Sequence, residues 1–195
     1  MPKHAIETTR ERIVHAAINL FYNTDLDTVG IREVAHQAGA STRCIYRYFP
    51  SKEHLLASVA NEKMKQIVVG LKEHLSGMRG ILNKLSKMTN YYLTAFENDR
   101  QTAWLINVSA NPTIWRRFPE GWRTLEETAE LFKNIVLEEQ STGEVRPDIY
   151  IEAVSGLYFG GLRNLVTWWL VNQRTWSLAG ASDKLTETLF DAIKT

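Results

Sequence analysis

The chain has 195 residues, 44% of them hydrophobic, which is enough for one or two domains with a real core. Its 23 Lys and Arg against 22 Asp and Glu give a formal net charge of +1, so no overall charge excess draws it to nucleic acid or to a membrane. The lone cysteine, Cys44, excludes an intrachain disulfide, and the mostly polar stretch Met1 to Arg12 does not read as a secretory leader, so a cytoplasmic protein is expected.

Helical periodicity runs from end to end. Ile13, Ala16, Ala17, Leu20 and Phe21 share one face of a first helix that ends near Asn23. Ile31, Val34, Ala35 and Ala38 repeat the pattern in a short second helix closed by Gly39, and Ser41 is placed to cap a third. Pro50 stops that third helix, and Ser51 and Glu53 open a fourth that reaches Leu75. Further helices are expected over Ile81 to Asn98, Thr102 to Ala110 and Trp122 to Gln140, with a shorter piece from Pro112 that holds Trp115 and Phe118. The loop Ser141 to Asp148 precedes a long apolar helix, Ile149 to Asn172, and an amphipathic helix, Asp183 to Ile193, follows. Within the long apolar helix, Arg163, Asn164 and three glycines break up the run Ala153 to Leu170 short of the roughly 20 apolar residues of a membrane span, so no membrane partner is expected. The chain is read as all-α: an N-terminal helix-turn-helix domain over residues 1–52 and a C-terminal helical bundle over 53–195.

The third helix carries the most specific chemistry. Winding Thr42 to Phe49 at about 100° per residue sets Ile45 and Phe49 on one side and Arg43 and Arg47 on the other, with Thr42 and Tyr46 flanking them. A two-turn helix that follows another short helix across a glycine turn is a helix-turn-helix, whose second member enters the major groove of DNA. There arginine forks reach guanine edges, and hydroxyls reach phosphates or bases. Between Thr28 and Glu53 four cations, Arg32, Arg43, Arg47 and Lys52, oppose two acids, Glu33 and Glu53. One copy would neutralise few phosphates, so useful affinity for an operator calls for two copies on adjacent half-sites.

Thr28 to Leu56 resembles the DNA-binding signature of the tetracycline-repressor family of bacterial transcriptional regulators. The match lies in Ile31-Arg32-Glu33-Val34-Ala35, the Ala38-Gly39-Ala40-Ser41 turn, Ile45-Tyr46, Tyr48-Phe49 and Ser51-Lys52-Glu53. The resemblance implies that Thr42, Arg43 and Cys44 face bases, that Tyr46 and Arg47 reach bases or backbone, that Tyr48 and Lys52 hold phosphates, and that Arg32 reaches a base from the second helix. Ser41 belongs to the same set. Two departures from the pattern are Gly30, where members often carry a phosphate-binding hydroxyl, and Arg43, where many carry a small residue.

The same resemblance implies a ligand cavity in the C-terminal bundle and a homodimer built from its last two helices. All six tryptophans lie in the C-terminal half. The candidate cavity residues are Tyr92, Phe96, Trp104, Asn107, Trp115, Phe118, Trp122, Phe159, Arg163 and Trp168, and the expected effector is a small hydrophobic or aromatic molecule. Arg163, set among glycines and aliphatic residues, needs a partner if buried, whether a ligand anion, an acidic side chain or a subunit contact. Leu157, Gly161, Leu165, Leu185 and Leu189 are the candidate dimer contacts, the glycines at 156, 160 and 161 allowing close helix approach.

A ligand-responsive transcriptional regulator, a repressor by preference, is therefore the leading reading. An architectural DNA-binding protein without effector is the alternative, followed by a helical enzyme. Against the enzyme stand scattered histidines, an acidic cluster at Glu126, Glu127 and Glu130 with no neighbouring histidine, and no phosphate-binding or nucleophile motif, so no cofactor or metal site is expected.

Overall fold

The computed structural model describes residues 8–24, 28–109, 116–119, 123–172 and 176–195. Among them the elements are helical: α1 (Thr9–Asn23), α2 (Ile31–Gln37), α3 (Thr42–Tyr48), α4 (Lys52–Leu75), α5 (Ile81–Asn98), α6 (Arg100–Ser109), α7 (Arg123–Thr142), α8 (Ile151–Val171) and α9 (Ser182–Ile193), with a 3-10 turn at Ala179–Ala181. None of these helices is long and apolar enough to cross a membrane.

Capping groups set most of the boundaries. At α1 the Thr8 hydroxyl accepts from the Glu11 amide, and the Glu11 carboxylate accepts from the Thr8 amide in return. Gly39, at φ 60°, lets the chain reverse after α2: its amide donates to His36, and the Ala40 amide donates to the Ala35 carbonyl. The Ser41 and Ser51 hydroxyls accept from the Cys44 and His54 amides, both at 3.1 Å, and so open α3 and α4.

Three boundaries differ from the sequence reading. α6 starts at Arg100 because Asp99, whose carboxylate accepts from the Thr102 amide at 2.9 Å and from the Thr102 hydroxyl at 2.6 Å, serves as its cap. α7 continues to Thr142, beyond Gln140. α8 begins at Ile151 because the preceding segment is held extended: Val145 bridges Lys194, and the Arg146 amide donates to the Ile193 carbonyl at 3.1 Å. The expected short piece from Pro112 falls largely outside the described residues.

Two hydrophobic cores result. The N-terminal core joins Ile13, Ala17 and Phe21 of α1, Val34 of α2, Ile45 and Phe49, and Leu55, Leu56 and Val59 of α4. The C-terminal core begins at Met64, two turns further along α4, and draws on α5 to α9. α4 therefore belongs to both, and an ion pair between Arg10 and Glu62 at 2.8 Å ties α1 to its middle. α6 is shared as well. Leu105 is buried in the N-terminal core, and the Trp104 ring meets Tyr22 edge-on at 6.0 Å. Meanwhile Ala103 and Ile106 of the same helix are buried in the C-terminal core.

Candidate functional site

The outward face of α3 is built as the sequence reading expects. Ile45 and Phe49 are buried, whereas Arg43, Tyr46, Arg47 and Tyr48 are exposed and Thr42 and Cys44 are half-buried. The Arg47 guanidinium lies 5.2 Å over the Tyr48 ring and donates to its hydroxyl at 3.4 Å, so arginine and phenol lie together on one side of the helix. Arg32 is exposed on α2, with Glu33 beside it spent on accepting from the Gly30 amide. Lys52 packs its ammonium 5.9 Å from the Phe21 ring at the start of α4. Ser41 is exposed, but its hydroxyl is engaged in the α3 cap, so its availability to DNA would be shared with that bond.

The C-terminal bundle encloses a cavity of about 290 Å³. Its inner wall is apolar: Met64 from α4, Leu93 and Phe96 from α5, Ile106 from α6, and Leu162 and Val166 from α8. The buried polar pair is Tyr92 and Thr128, whose hydroxyls are 3.3 Å apart, Thr128 in turn donating to the Thr124 carbonyl. Burial pushes the Tyr92 phenol well above its ordinary range, opposed by the Thr128 bond, so it stays neutral. The less buried lining residues, Leu125 and Ala129 of α7, Phe159, Gly160 and Arg163 of α8, and Asn107 of α6, mark the mouth. Arg163 is exposed there, which removes the need for a buried counter-charge. The Asn107 side chain is held in place, donating to the Ala103 carbonyl at 2.8 Å and accepting from Thr167 at 3.1 Å.

The cavity thus brings together Tyr92, Phe96, Asn107, Phe159 and Arg163 of the sequence candidates. Trp104 faces Tyr22 and the N-terminal core instead. Phe118 packs edge-on against His54 at 5.2 Å, near the start of α4. Trp168 is 54% exposed on the far side of α8. Trp115 and Trp122 lie outside the described residues. The lining residues that sequence reasoning missed, such as Met64, Thr128 and Val166, are ordinary core positions by periodicity, and only the packing of five helices leaves a space beside them.

A second concavity, about 540 Å³ and open to solvent, runs between α8 and α9. Gly161, Leu165, Trp168 and Leu185 line it, and Leu189 is half-buried on the same helix as Leu185. Leu157 and Val171 on α8 are 73% and 74% exposed, and a methyl group added at Gly156 or Gly160 would meet no atom within 4 Å. This is a flat, apolar and unobstructed helix pair of the kind that packs against a second pair.

A helix-turn-helix unit joined by a shared helix to an all-helical bundle with an internal cavity defines a one-component transcriptional regulator. Residues 13–59 match the family model for bacterial regulatory proteins of the tetR family, and residues 60–192 match that of the YsiA-like protein C-terminal region. The chain belongs to this family and is a ligand-responsive DNA-binding transcriptional regulator. It is 22% identical over 182 residues to the fatty acid metabolism regulator protein of Bacillus subtilis, spanning 93% of this chain and 94% of that one. The crystal structure of FadR from Bacillus subtilis in complex with stearoyl-CoA superposes with a TM-score of 0.84 at 22% identity, covering 93% of this chain and 98% of that one. The ketosteroid transcriptional regulator KstR2 of Mycobacterium tuberculosis superposes with a TM-score of 0.74 at 15% identity, covering 98% and 97%.

Proposed function

We propose that the protein is a repressor that holds a palindromic operator as a homodimer and leaves it when a fatty acyl thioester, an acyl-CoA, enters the C-terminal cavity. The observation that carries this reading is the pairing of an apolar interior with an exposed guanidinium at the mouth: the wall suits an alkyl tail, and Arg163 suits an anionic head group. The stearoyl-CoA held by the Bacillus subtilis structure of the same fold supports the ligand class. On this reading the chain is not an enzyme and acts in the cytoplasm on double-stranded DNA.

Residues 1–52 form the reading head, and 53–195 form the ligand and dimer unit. Arg43, Arg47, Thr42, Cys44 and Tyr46 address the major groove from α3, Arg32 supports them from α2, and Tyr48, Lys52 and Ser41 bind phosphates. Leu157, Gly161, Leu165, Leu185 and Leu189 bury one another across the dimer axis, with Trp168 and Val171 adding area. Because α4 and α6 enter both cores, a ligand that shifts Ile106 or Met64 moves Leu105 and the head with them. Ligand then favours dimers whose two heads no longer fit successive major grooves, about 34–36 Å apart.

The test is thermal unfolding of the full chain with and without acyl-CoA, alongside the Arg163→Glu variant. Ligand binding to the native state raises the unfolding temperature by mass action, and the reversed charge at the mouth reduces that gain. Absence of stabilisation by every acyl-CoA contradicts the ligand assignment.

A further inference from the structure

The inner end of the cavity has a recognisable structure. On α7 the wall runs from Leu125 to Ala129, and the next core-facing residue, Phe132, lies beyond the lining and is fully buried. On α8 the wall ends at Phe159, with Tyr158 buried next to it, and on α5 it ends at Tyr92, with Thr89 buried one turn further on. These residues form one block. The Phe132 and Tyr158 rings stack at 4.8 Å, Phe159 meets both edge-on at 5.7 and 4.9 Å, and the Tyr158 hydroxyl is 3.0 Å from that of Thr89. Toward the other end the N-terminal core begins, with Ala60 and Leu105 buried in it. An alkyl chain can gain length only by displacing the aromatic block, which would separate two buried hydroxyls and break a close-packed stack.

Volume turns this into a length. A methylene occupies nearly the space of a water molecule, about 30 Å³, so a stearoyl chain fills about 500 Å³. We infer that Phe132, Tyr158 and Thr89 act as a stop, so that the cavity of about 290 Å³ selects acyl chains of about ten carbons and excludes stearoyl. This deepens the acyl-thioester reading and borrows its head group, but the stop itself concerns only the alkyl chain.

The experiment is calorimetric titration of the full chain with butyryl-, octanoyl-, decanoyl-, dodecanoyl-, palmitoyl- and stearoyl-CoA and, in parallel, with the matching free carboxylates. Affinity is expected to rise about fourfold per added methylene up to decanoyl and then to fall, with stearoyl at least about tenfold weaker than decanoyl. An equal or tighter stearoyl ligand in either series overturns the stop, and so does a response flat with chain length in both. A decanoate optimum among the carboxylates with no binding of any thioester keeps the stop and rejects the acyl-CoA reading. Phe132→Leu, a milder change than Phe132→Ala, should move the optimum toward dodecanoyl or longer, and an unmoved optimum in a folded variant assigns the limit elsewhere and overturns the role of Phe132.

Discussion

Leu105 and Ile106 are consecutive on α6 and lie in different cores: Leu105 is 1% exposed inside the DNA-binding head, and Ile106 is 8% exposed on the wall of the ligand cavity. One peptide unit therefore separates the two functions of the protein. Leu105→Ala should cost about 2–5 kcal/mol of stability by leaving a void in the head core. It should also leave ligand affinity near that of the parent while reducing the effect of ligand on DNA binding. Denaturant unfolding measures the first effect, and DNA titration with and without ligand measures the second. Full ligand-induced release in a folded Leu105→Ala protein would remove α6 from the coupling route.

The reading head makes a separate prediction. Arg43→Ala and Arg47→Ala each remove an exposed guanidinium from the outward face of α3, so each should weaken DNA binding at least about tenfold, a loss of the size expected for one base-edge pair. Lys52→Ala should weaken binding to all sequences alike and lower the slope of affinity against salt by about one. Neither class of change touches the cavity, so ligand-induced thermal stabilisation should be retained in all three. Anisotropy titrations at several salt concentrations separate the two classes.

Dimer formation is predicted from the open face of α8 and α9. Leu157→Glu places a charge where a 73% exposed leucine lies on an apolar surface, so it should leave monomer stability nearly unchanged and shift the protein to monomer. Sedimentation velocity reports the change in mass. Binding to an inverted repeat should fall by more than about tenfold, because one head neutralises too few phosphates by itself. A dimer that persists in both Leu157→Glu and Leu185→Glu places the interface on another surface.

Lys84 offers a prediction about stability that the function does not require. Its side chain is 7% exposed and its ammonium donates at 2.7 Å to both Glu138 and Glu139 of α7. Burial alone would lower its pKa, but the hydrogen bonds and charges of the two carboxylates raise it above the ordinary value. Because the folded value is raised, the stabilisation is complete below the unfolded pKa of about 10.4 and is lost as pH rises through the folded value. Unfolding free energy should therefore be flat with respect to this group near neutrality and fall in strong alkali. Lys84→Ala should cost about 3–5 kcal/mol by leaving Glu139 buried and uncompensated, and adding Glu139→Leu to a Lys84→Met protein should recover most of it.

How much of this was legible in the sequence depends on whether the signal was local. Ile45 and Phe49 against Arg43 and Arg47 on a two-turn helix, with serine caps at positions 41 and 51, specify the head within twenty residues, and each of those features stands as expected. The start of α6 was misplaced by two residues because Asp99 caps by its own side chain, a signal as short as those of Ser41 and Ser51 but hidden behind Asn98 and Arg100. Lys84 looks like a surface lysine in the chain, since its partners are more than fifty residues away. Bulk misled the choice of cavity residues: Trp104, Phe118 and Trp168 are large and aromatic, but the direction each faces is decided by which helix packs on which side. Tyr92, Phe96 and Phe159 came together because they share core-facing positions on α5 and α8. The Val145–Lys194 bridge, joining segments far apart in the chain, left no periodic trace.

The most direct test of the central claim is an anisotropy titration of a duplex selected from a random pool by the full chain, carried out without ligand and with saturating decanoyl- or stearoyl-CoA. The account predicts tight, salt-sensitive binding without ligand and a dissociation constant at least about tenfold higher with one of the two thioesters, a difference that corresponds to about 1.4 kcal/mol of coupling. An acyl-CoA shown by calorimetry to occupy the protein while leaving the DNA dissociation constant unchanged would contradict it.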